Sequence, residues 1–152
     1  MTKEWGPYTW NMFHTLIIKI KDQHFDSIKN ELLNKLINIS YNLPCPICSK
    51  HSNEYFKKIN KTKIKTKQDL SNLFFNFHNE VNKRLNKNLF LIQNLKTTYL
   101  TNNTIKVVDE FLYRFYVAIN AGNLRFFNSL ASKQAYMEFY NWIVNNIKKF
   151  EL

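Results

Sequence analysis

Residues 43–48 of the chain read Leu43-Pro44-Cys45-Pro46-Ile47-Cys48. Proline disfavours helical geometry in the residue before it, so Leu43-Pro44 predicts the end of a helix. Proline is accepted in the first turn of a helix, so Pro46 predicts the start of the next helix. The cysteine pair therefore lies at a helix N-terminus, where unpaired N–H groups and the helix dipole favour a thiolate. This position indicates an accessible, reducible disulfide.

The C-x-x-C spacing alone allows three interpretations: a redox-active disulfide, half of a zinc site, or two unpaired thiols. His51 and His78 could complete a Cys₂His₂ zinc set. However, Cys48 and His51 are only one helical turn apart, whereas zinc ligands usually come as two separated pairs. A thioredoxin-like fold needs βαβ units around the motif, and the pattern here is helical on both sides, so that fold is rejected.

The composition predicts one helical domain. The chain has 152 residues, of which 45% are hydrophobic and 22% charged, with Gly 2 and Pro 3. This length is enough to bury a core without a disulfide staple or a structural metal. Turn-forming residues are scarce and alternating apolar runs are missing, which argues against a sheet protein. We expect helices joined by short polar loops.

The spacing of apolar residues outlines these helices. Asp26 and Ser27 are predicted to cap the second helix, Asp69 sits near the start of the fourth, and Ala121-Gly122-Asn123 predicts a helix stop. The predicted elements are helices at about 8–21, 28–43, 46–58 and 69–85, an extended or irregular stretch at 88–103, and helices at 107–119 and 135–149.

The formal net charge of +11 could indicate nucleic acid, an anionic membrane surface or an acidic partner. The lysines are scattered, however, and Asn, Lys and Ile are abundant throughout, as expected from an AT-rich genome. The densest lysine cluster, at residues 57–67, is predicted to be a solvated connector. No nucleic-acid-binding motif accompanies the charge, so we expect no specific nucleic-acid partner.

Targeting signals are not evident. Trp5-Gly6-Pro7-Tyr8 interrupts the N-terminal region before any apolar segment typical of a signal peptide. No stretch approaches the roughly 20 apolar residues of a membrane span. The expected location is a cytosolic compartment, where a C-x-x-C pair is more often catalytic or metal-binding than structural.

Three separated segments together resemble one known family. Residues 5–14 carry W-G-x-x-x-W-x-x-F-H, residues 45–51 carry C-x-x-C-x-x-H, and residues 78–87 carry H-N-x-V-N-x-x-L-x-K. Their order and spacing resemble those of the ALR/Erv FAD-linked sulfhydryl oxidases. The resemblance implies an all-α fold: a four-helix bundle with the C-x-x-C at the start of the third helix. It covers roughly residues 4–90. Residues 1–90 are the expected flavin-binding bundle, and residues 91–152 a helical C-terminal extension.

The resemblance implies FAD as the cofactor, no protein metal, and Cys45 and Cys48 as the catalytic residues. Aromatic and imidazole faces suit an adenine ring, and hydrogen-bond donors suit the pyrophosphate and the flavin ring edges. Taken singly, each aromatic or histidine could be an ordinary core or surface residue. The residues expected to bind FAD are Trp5, Gly6, Tyr8, Trp10, His14, Cys48, His51, Tyr55, His78, Asn79, Val81, Asn82, Leu85 and Lys87.

The family also implies separate roles for the two sulfurs. A substrate thiolate should attack Cys45, the more accessible cysteine, and release Cys48 as a thiolate beside the flavin. Two electrons then pass to FAD and on to O2, which gives H2O2. The expected partner is a protein dithiol substrate or a small dithiol relay protein. The chain has two cysteines, both in the C-x-x-C motif, so it lacks the shuttle cysteine pair of cellular relatives.

Some features depart from the family or lie outside it. Pro7 stands where many relatives carry arginine, so Lys87 or Arg84 is expected to supply that contact. Compact relatives without a shuttle pair occur in large cytoplasmic DNA viruses, which implies a viral protein in the host cytoplasm, at the virus factory, with the virion as a second location. Relatives form homodimers, and a homodimer is expected here.

The extension at 91–152 is expected to pack on the bundle or form an oligomer interface, with a docking site for the dithiol partner as the alternative. Two other functions stay open at this point. One is a non-enzymatic zinc-binding domain, and the other is a basic interaction or virion protein with a degenerate oxidase core.

Overall fold

Helices make up the regular structure of residues 2–121 and 126–152, the part of the chain that the computed structural model describes. The α-helices are α1 (Gly6–Lys19), α2 (Asp22–Tyr41), α3 (Pro46–Phe56), α4 (Lys67–Arg84), α5 (Asn94–Tyr99), α6 (Thr104–Ile119) and α7 (Phe126–Asn146). Short 3-10 turns occur at Thr2–Glu4, Lys61–Lys63 and Ile147–Lys149. The predicted all-α fold, with the cysteine pair at the start of the third helix, is confirmed. Gly122 and Asn123 of the predicted helix stop lie outside the described residues.

The bundle core consists of large apolar side chains from α1 to α4. On α1, the buried residues Met12, Phe13, Leu16 and Ile17 recur at helical spacing and form one face. The Phe13 ring meets the Phe74 ring of α4 edge-on, with 5.3 Å between the centroids. Interlocked aromatic rings of this kind hold the helices at fixed distances, so the polar residues on the same helices are held in fixed positions.

The start of α2 differs from the prediction. The helix begins at Asp22, so the predicted caps Asp26 and Ser27 lie inside it. The Lys67 ammonium group donates to the Asp22 carboxylate and to the Ile20 carbonyl, both at 2.6 Å. Lys67 is the first residue of α4, so a contact between distant parts of the chain fixes the start of α2. Local capping patterns carry no signal for such a contact.

Both ends of α4 are defined by local chemistry. At its start, Thr66 and Asp69 form a reciprocal capping box, in which each side chain accepts from the other residue's backbone N–H. At its end, Asn86 takes a positive φ of 53°, a conformation that asparagine tolerates. The Lys87 N–H then bonds back to the Asn82 carbonyl at 2.9 Å. This turn brings Lys87 close to the residues on the last turn of α4.

The stretch after α4 is irregular and is held by one side chain. The Asn79 amide donates to the Phe90 carbonyl at 2.9 Å and accepts from the Phe90 N–H at 2.8 Å. This pair of bonds supplies backbone partners that an irregular segment otherwise lacks. The short helix α5, which the sequence pattern did not predict, follows and buries Leu95 and Tyr99.

The extension packs directly on the bundle. α6 lies along α1 and buries Phe111 and Phe115 completely, while α7 packs on α2 and α6 and buries Phe139. These rings belong to the same hydrophobic core as the bundle residues. The Trp142 indole N–H also donates to the Glu31 carboxylate of α2 at 2.8 Å. Within the described ranges, every helix is too short or too polar to cross a membrane.

We expect Phe111→Ala to lower the free energy of unfolding by about 3–5 kcal/mol, because it removes a fully buried ring from the core and leaves a cavity. Tyr113→Ala, two residues away on α6 and 65% exposed, should change it by less than about 0.5 kcal/mol. Urea denaturation of both variants measures the difference. Equal stabilities would contradict a core shared between extension and bundle.

Candidate active site

The two cysteines form a disulfide at the start of α3. Cys45 is the N-cap residue of α3, and its sulfur accepts a hydrogen bond from the Cys48 N–H at 3.2 Å. The Cα atoms are 5.2 Å apart, and both residues are partly exposed. When the bond is reduced, the same N–H and the helix dipole stabilise a thiolate at Cys45. The local geometry therefore suits thiol–disulfide exchange.

A cavity of about 410 Å³ lies beside this disulfide, between α1, α3 and α4. Its volume falls within the range of about 300–1,000 Å³ that is typical of ligand sites. Cys48 lines the cavity, whereas Cys45 lies outside it. The two sulfurs therefore face different surroundings: Cys48 belongs to the cavity wall, and Cys45 does not.

Stacked rings form one wall of the cavity. The indole of Trp10 and the imidazole of His78 lie nearly parallel, at 7° and 4.0 Å between centroids. Behind them, His14 Nε2 lies 3.0 Å from His78 Nδ1. Phe90 stacks on His78 at 5.9 Å. Because Trp10 and His78 line the cavity, they present flat surfaces suited to a ring system.

Burial keeps both histidines neutral. The pKa of His14 is lowered from 6.5 to about 3, first by burial and then by the neighbouring His78. The pKa of His78 is lowered to about 4, first by burial and then by the positive charge of Lys87. At neutral pH the two uncharged imidazoles share one N–H between them, as their contact requires.

Cations lie at the same cavity. Lys3, Arg84 and Lys87 all line it, and the described residues that line it include no carboxylate. Lys87 reaches the cavity because the turn at Asn86 folds it back toward α4. Pro7 lines the cavity as well. These cations can neutralise the pyrophosphate of a dinucleotide.

The structure places most of the predicted cofactor-binding residues in this cavity. Those that line it are Trp5, Gly6, Trp10, Cys48, His51, His78, Val81, Asn82, Leu85 and Lys87. His14 lies behind His78, and Asn79 holds Phe90. The Tyr55 hydroxyl donates to the Leu73 carbonyl, and the Tyr8 ring lies 4.8 Å from the Arg114 guanidinium. These four side chains support or flank the cavity rather than line it.

Several lining residues were not predicted. They are Lys3, Pro7, Thr9, Phe13, Ser40, Leu43, Ile47, Ser52, Phe77 and Tyr99, whereas Arg84, which also lines the cavity, was named as a replacement for the contact missing at Pro7. Ser40 and Ser52 are buried and bond to the carbonyls one turn earlier, so they present small surfaces where helices meet. Tyr99 comes from α5, far along the chain. These residues line the cavity because of where their helices lie in the fold, which the local sequence pattern does not indicate.

The metal interpretation finds no geometric support in the part of the chain described. No group of three or more His, Cys, Asp or Glu side chains there could hold a metal ion. The sulfurs of Cys45 and Cys48 are bonded to each other. In this oxidised state they are not available as thiolate ligands.

A helical bundle that holds a disulfide against a ligand-sized cavity is the arrangement expected of a helical thiol oxidoreductase. The chain belongs to the Erv1 / Alr family, whose family model matches residues 7–100. The family recognised from the three sequence motifs is thus confirmed.

Curated relatives carry matching names. A FAD-linked sulfhydryl oxidase of African swine fever virus (isolate Pig/Kenya/KEN-50/1950) is 34% identical over 95 residues, which cover 62% of this chain and 79% of the relative. The putative FAD-linked sulfhydryl oxidase 096R of Invertebrate iridescent virus 3 is 31% identical over 86 residues, 56% of this chain and 58% of the relative. The mitochondrial FAD-linked sulfhydryl oxidase ERV1 of Saccharomyces cerevisiae is 28% identical over 85 residues, 56% of this chain and 44% of the relative. No solved structure matches the chain.

These names confirm, at the level of the family, the predictions of an FAD cofactor, of a sulfhydryl oxidase enzyme and of viral relatives.

Proposed function

We propose that this chain is a FAD-dependent thiol oxidase that makes disulfide bonds in protein dithiols and passes the electrons to O2. The observation that carries the proposal is the position of the two sulfurs: Cys48 lines the large cavity, and Cys45 lies outside it. A disulfide that spans the border between a cofactor site and the surface can take electrons from one side and release them on the other. Family membership supports the same chemistry.

The residues around the cavity fit FAD. Trp10 and His78, which stack on each other in this structure, bring aromatic ring surface to the cavity wall for the adenine, and Lys3, Arg84 and Lys87 offer positive charge for the pyrophosphate. Cys48 would face the flavin ring, which is the redox-active part of the cofactor. We assign the cofactor-binding role to the lining residues and a supporting role to Tyr8, His14, Tyr55 and Asn79.

The exchange step follows from the positions of the sulfurs relative to the cavity, since Cys48 lines it and Cys45 does not. A substrate thiolate attacks Cys45 Sγ, an S–S bond forms between substrate and Cys45, and the Cys45–Cys48 bond breaks with Cys48 leaving as a thiolate. A second substrate thiolate then attacks the substrate sulfur of the mixed disulfide. The substrate leaves oxidised, and Cys45 is released as a thiolate. The protein now holds the two electrons that the substrate lost.

Bound FAD would accept this electron pair on the Cys48 side and deliver it to O2, which takes up two protons and becomes H2O2. The cysteine pair returns to the disulfide as the electrons leave. Both cysteines of this chain belong to the disulfide, so we propose that the dithiol is supplied by another protein, either the substrate itself or a small relay protein.

The remaining expectations stay proposals. We assign the flavin chemistry to residues 1–90 and a supporting role to the extension at 91–152. A homodimer, and a location in the host cytoplasm at the virus factory and in the virion, stay predictions. The viral relatives support a viral origin.

The test is spectroscopic. The purified protein should carry the blue-light absorption of an oxidised flavin, which anaerobic dithiothreitol should bleach. Admitting O2 should restore the colour and yield one H2O2 for each dithiol oxidised. A protein that stays colourless after incubation with FAD and desalting, or that binds stoichiometric zinc, would contradict the proposal.

A further inference from the structure

A second cavity, of about 230 Å³, lies on the other side of the turn that carries the disulfide. Pro46 and Ser49 line this cavity, whereas Ile47 and Cys48 line the large one, and Leu43 lines both. The turn at residues 43–49 is therefore a thin wall between two cavities. The complete lining of the smaller one is Tyr41, Asn42, Leu43, Pro46, Ser49, Ala131 and Ser132.

Hydrogen bonds hold the walls of this smaller cavity in place. The Ser49 hydroxyl donates to the Leu43 carbonyl at 3.2 Å, and the Ser132 hydroxyl of α7 donates to the Asn42 carbonyl at 2.8 Å. Further along α7, the Asn38 amide of α2 donates to the Glu138 carboxylate at 3.1 Å. α7 is thus tied to the end of α2, and the cavity is formed before any ligand arrives.

The chemistry of the walls selects the kind of ligand. The lining side chains are apolar or neutral polar, so a charged group would lose hydration there without gaining a partner of opposite charge. The volume is below the range of about 300–1,000 Å³ that is typical of sites for whole small molecules. One uncharged amino-acid side chain is a ligand of the right size and chemistry.

The direction of thiol attack brings an uncharged side chain of the substrate near the smaller cavity. A thiolate approaches a disulfide along the S–S axis, from the side opposite the leaving sulfur. Since Cys48 is the leaving sulfur and lines the large cavity, the attacker reaches Cys45 from the outer side. Neighbouring residues of a polypeptide have Cα atoms about 3.8 Å apart. Cys45 itself lines neither cavity, but Pro46, the next residue in the chain, lines the smaller one, so this cavity is within reach of the residues next to an attacking cysteine.

We propose that this cavity binds an uncharged side chain next to the attacking cysteine of a polypeptide substrate, and that α7 thereby takes part in substrate recognition. The inference rests on the proposed thiol oxidase function and names its substrate as a polypeptide with an uncharged residue beside the thiol, for which leucine serves as the probe.

The test uses the flavin-loaded full chain and two synthetic dithiol peptides that are identical except at the residues on both sides of the first cysteine, leucine in one and glycine in the other. We expect kcat/KM to be about tenfold higher for the leucine peptide. In Ala131→Trp the indole would fill the mouth of the cavity, and the leucine-to-glycine ratio should fall to about two or less. Ala131 is exposed, so the larger side chain has room outside the core.

Lys133→Trp is the matched control, since Lys133 is exposed on the same helix and lines neither cavity. It should keep the wild-type ratio. A wild-type ratio near one, or an Ala131→Trp ratio equal to that of Lys133→Trp, would overturn the inference. Dithiothreitol oxidation and the flavin spectrum are recorded for every variant. Failure of the wild type in those two measurements would instead count against the proposed function.

Discussion

Cys48→Ser is expected to lower thiol oxidase turnover by at least about 1,000-fold. Cys48 is the sulfur that lines the large cavity, so its loss removes the link between the exchanging disulfide and the cofactor site. Serine is close in size and leaves the start of α3 intact. Flavin reduction by anaerobic dithiothreitol, followed by stopped-flow absorbance, measures the effect.

Cys45→Ser provides the matched comparison. It should also abolish turnover, because no disulfide can form, but it leaves the Cys48 sulfur facing the cavity. A thiolate there, next to oxidised flavin, should give a long-wavelength charge-transfer absorption that Cys48→Ser lacks. If Cys48→Ser showed this absorption and Cys45→Ser did not, the roles assigned to the two sulfurs would be reversed.

The free energy of unfolding is expected to fall steeply between pH 6.5 and pH 4.5. In the folded protein the pKa values of His14 and His78 are about 3 and about 4, whereas the ordinary value of 6.5 applies once the chain unfolds. Between these values the unfolded chain binds more protons than the folded chain, so acid favours unfolding. The stabilisation is complete above pH 6.5 and falls by up to about 1.4 kcal/mol per pH unit for each imidazole.

Urea denaturation at several pH values measures this slope. Aspartate and glutamate side chains ordinarily titrate near pH 4, so the window above pH 4.5 is dominated by the imidazoles. The double variant His14→Phe/His78→Phe keeps flat rings beside Trp10 but removes both titrating groups. Its slope should be less than half that of the wild type, and an unchanged slope would show that other groups cause the acid sensitivity.

Much of the bundle could be predicted from local patterns. The apolar spacing on α1 and the prolines around Cys45 each depend on neighbours within a few residues. The same holds for the position of Asp69 near the start of α4, where the structure pairs it with Thr66 in a capping box. Helix-forming signals of this range are legible in a single sequence, so the number and order of α1 to α4 followed from them.

Long-range contacts explain what the patterns did not predict. The start of α2 depends on Lys67, and the short helix α5 buries Tyr99 against a site built by α1 and α4. The burial of His14 is of the same kind. Its spacing from Trp10 placed both residues on one face of α1. Only the packing of His78 from α4 shows that His14 lies behind the stacked rings of Trp10 and His78.

The thin wall at residues 43–49 affects how the substrate preference of such an enzyme can evolve. Under the proposed function, a polypeptide that reacts at Cys45 would stay outside the cavity that Cys48 lines, and its electrons would reach the cofactor through the disulfide. Mutations on α7, which lies beyond the family match at residues 7–100, would then change which polypeptides the enzyme oxidises. Such mutations would leave the residues that line the large cavity unchanged. Recognition and electron transfer become separable traits, open to selection and to engineering one at a time.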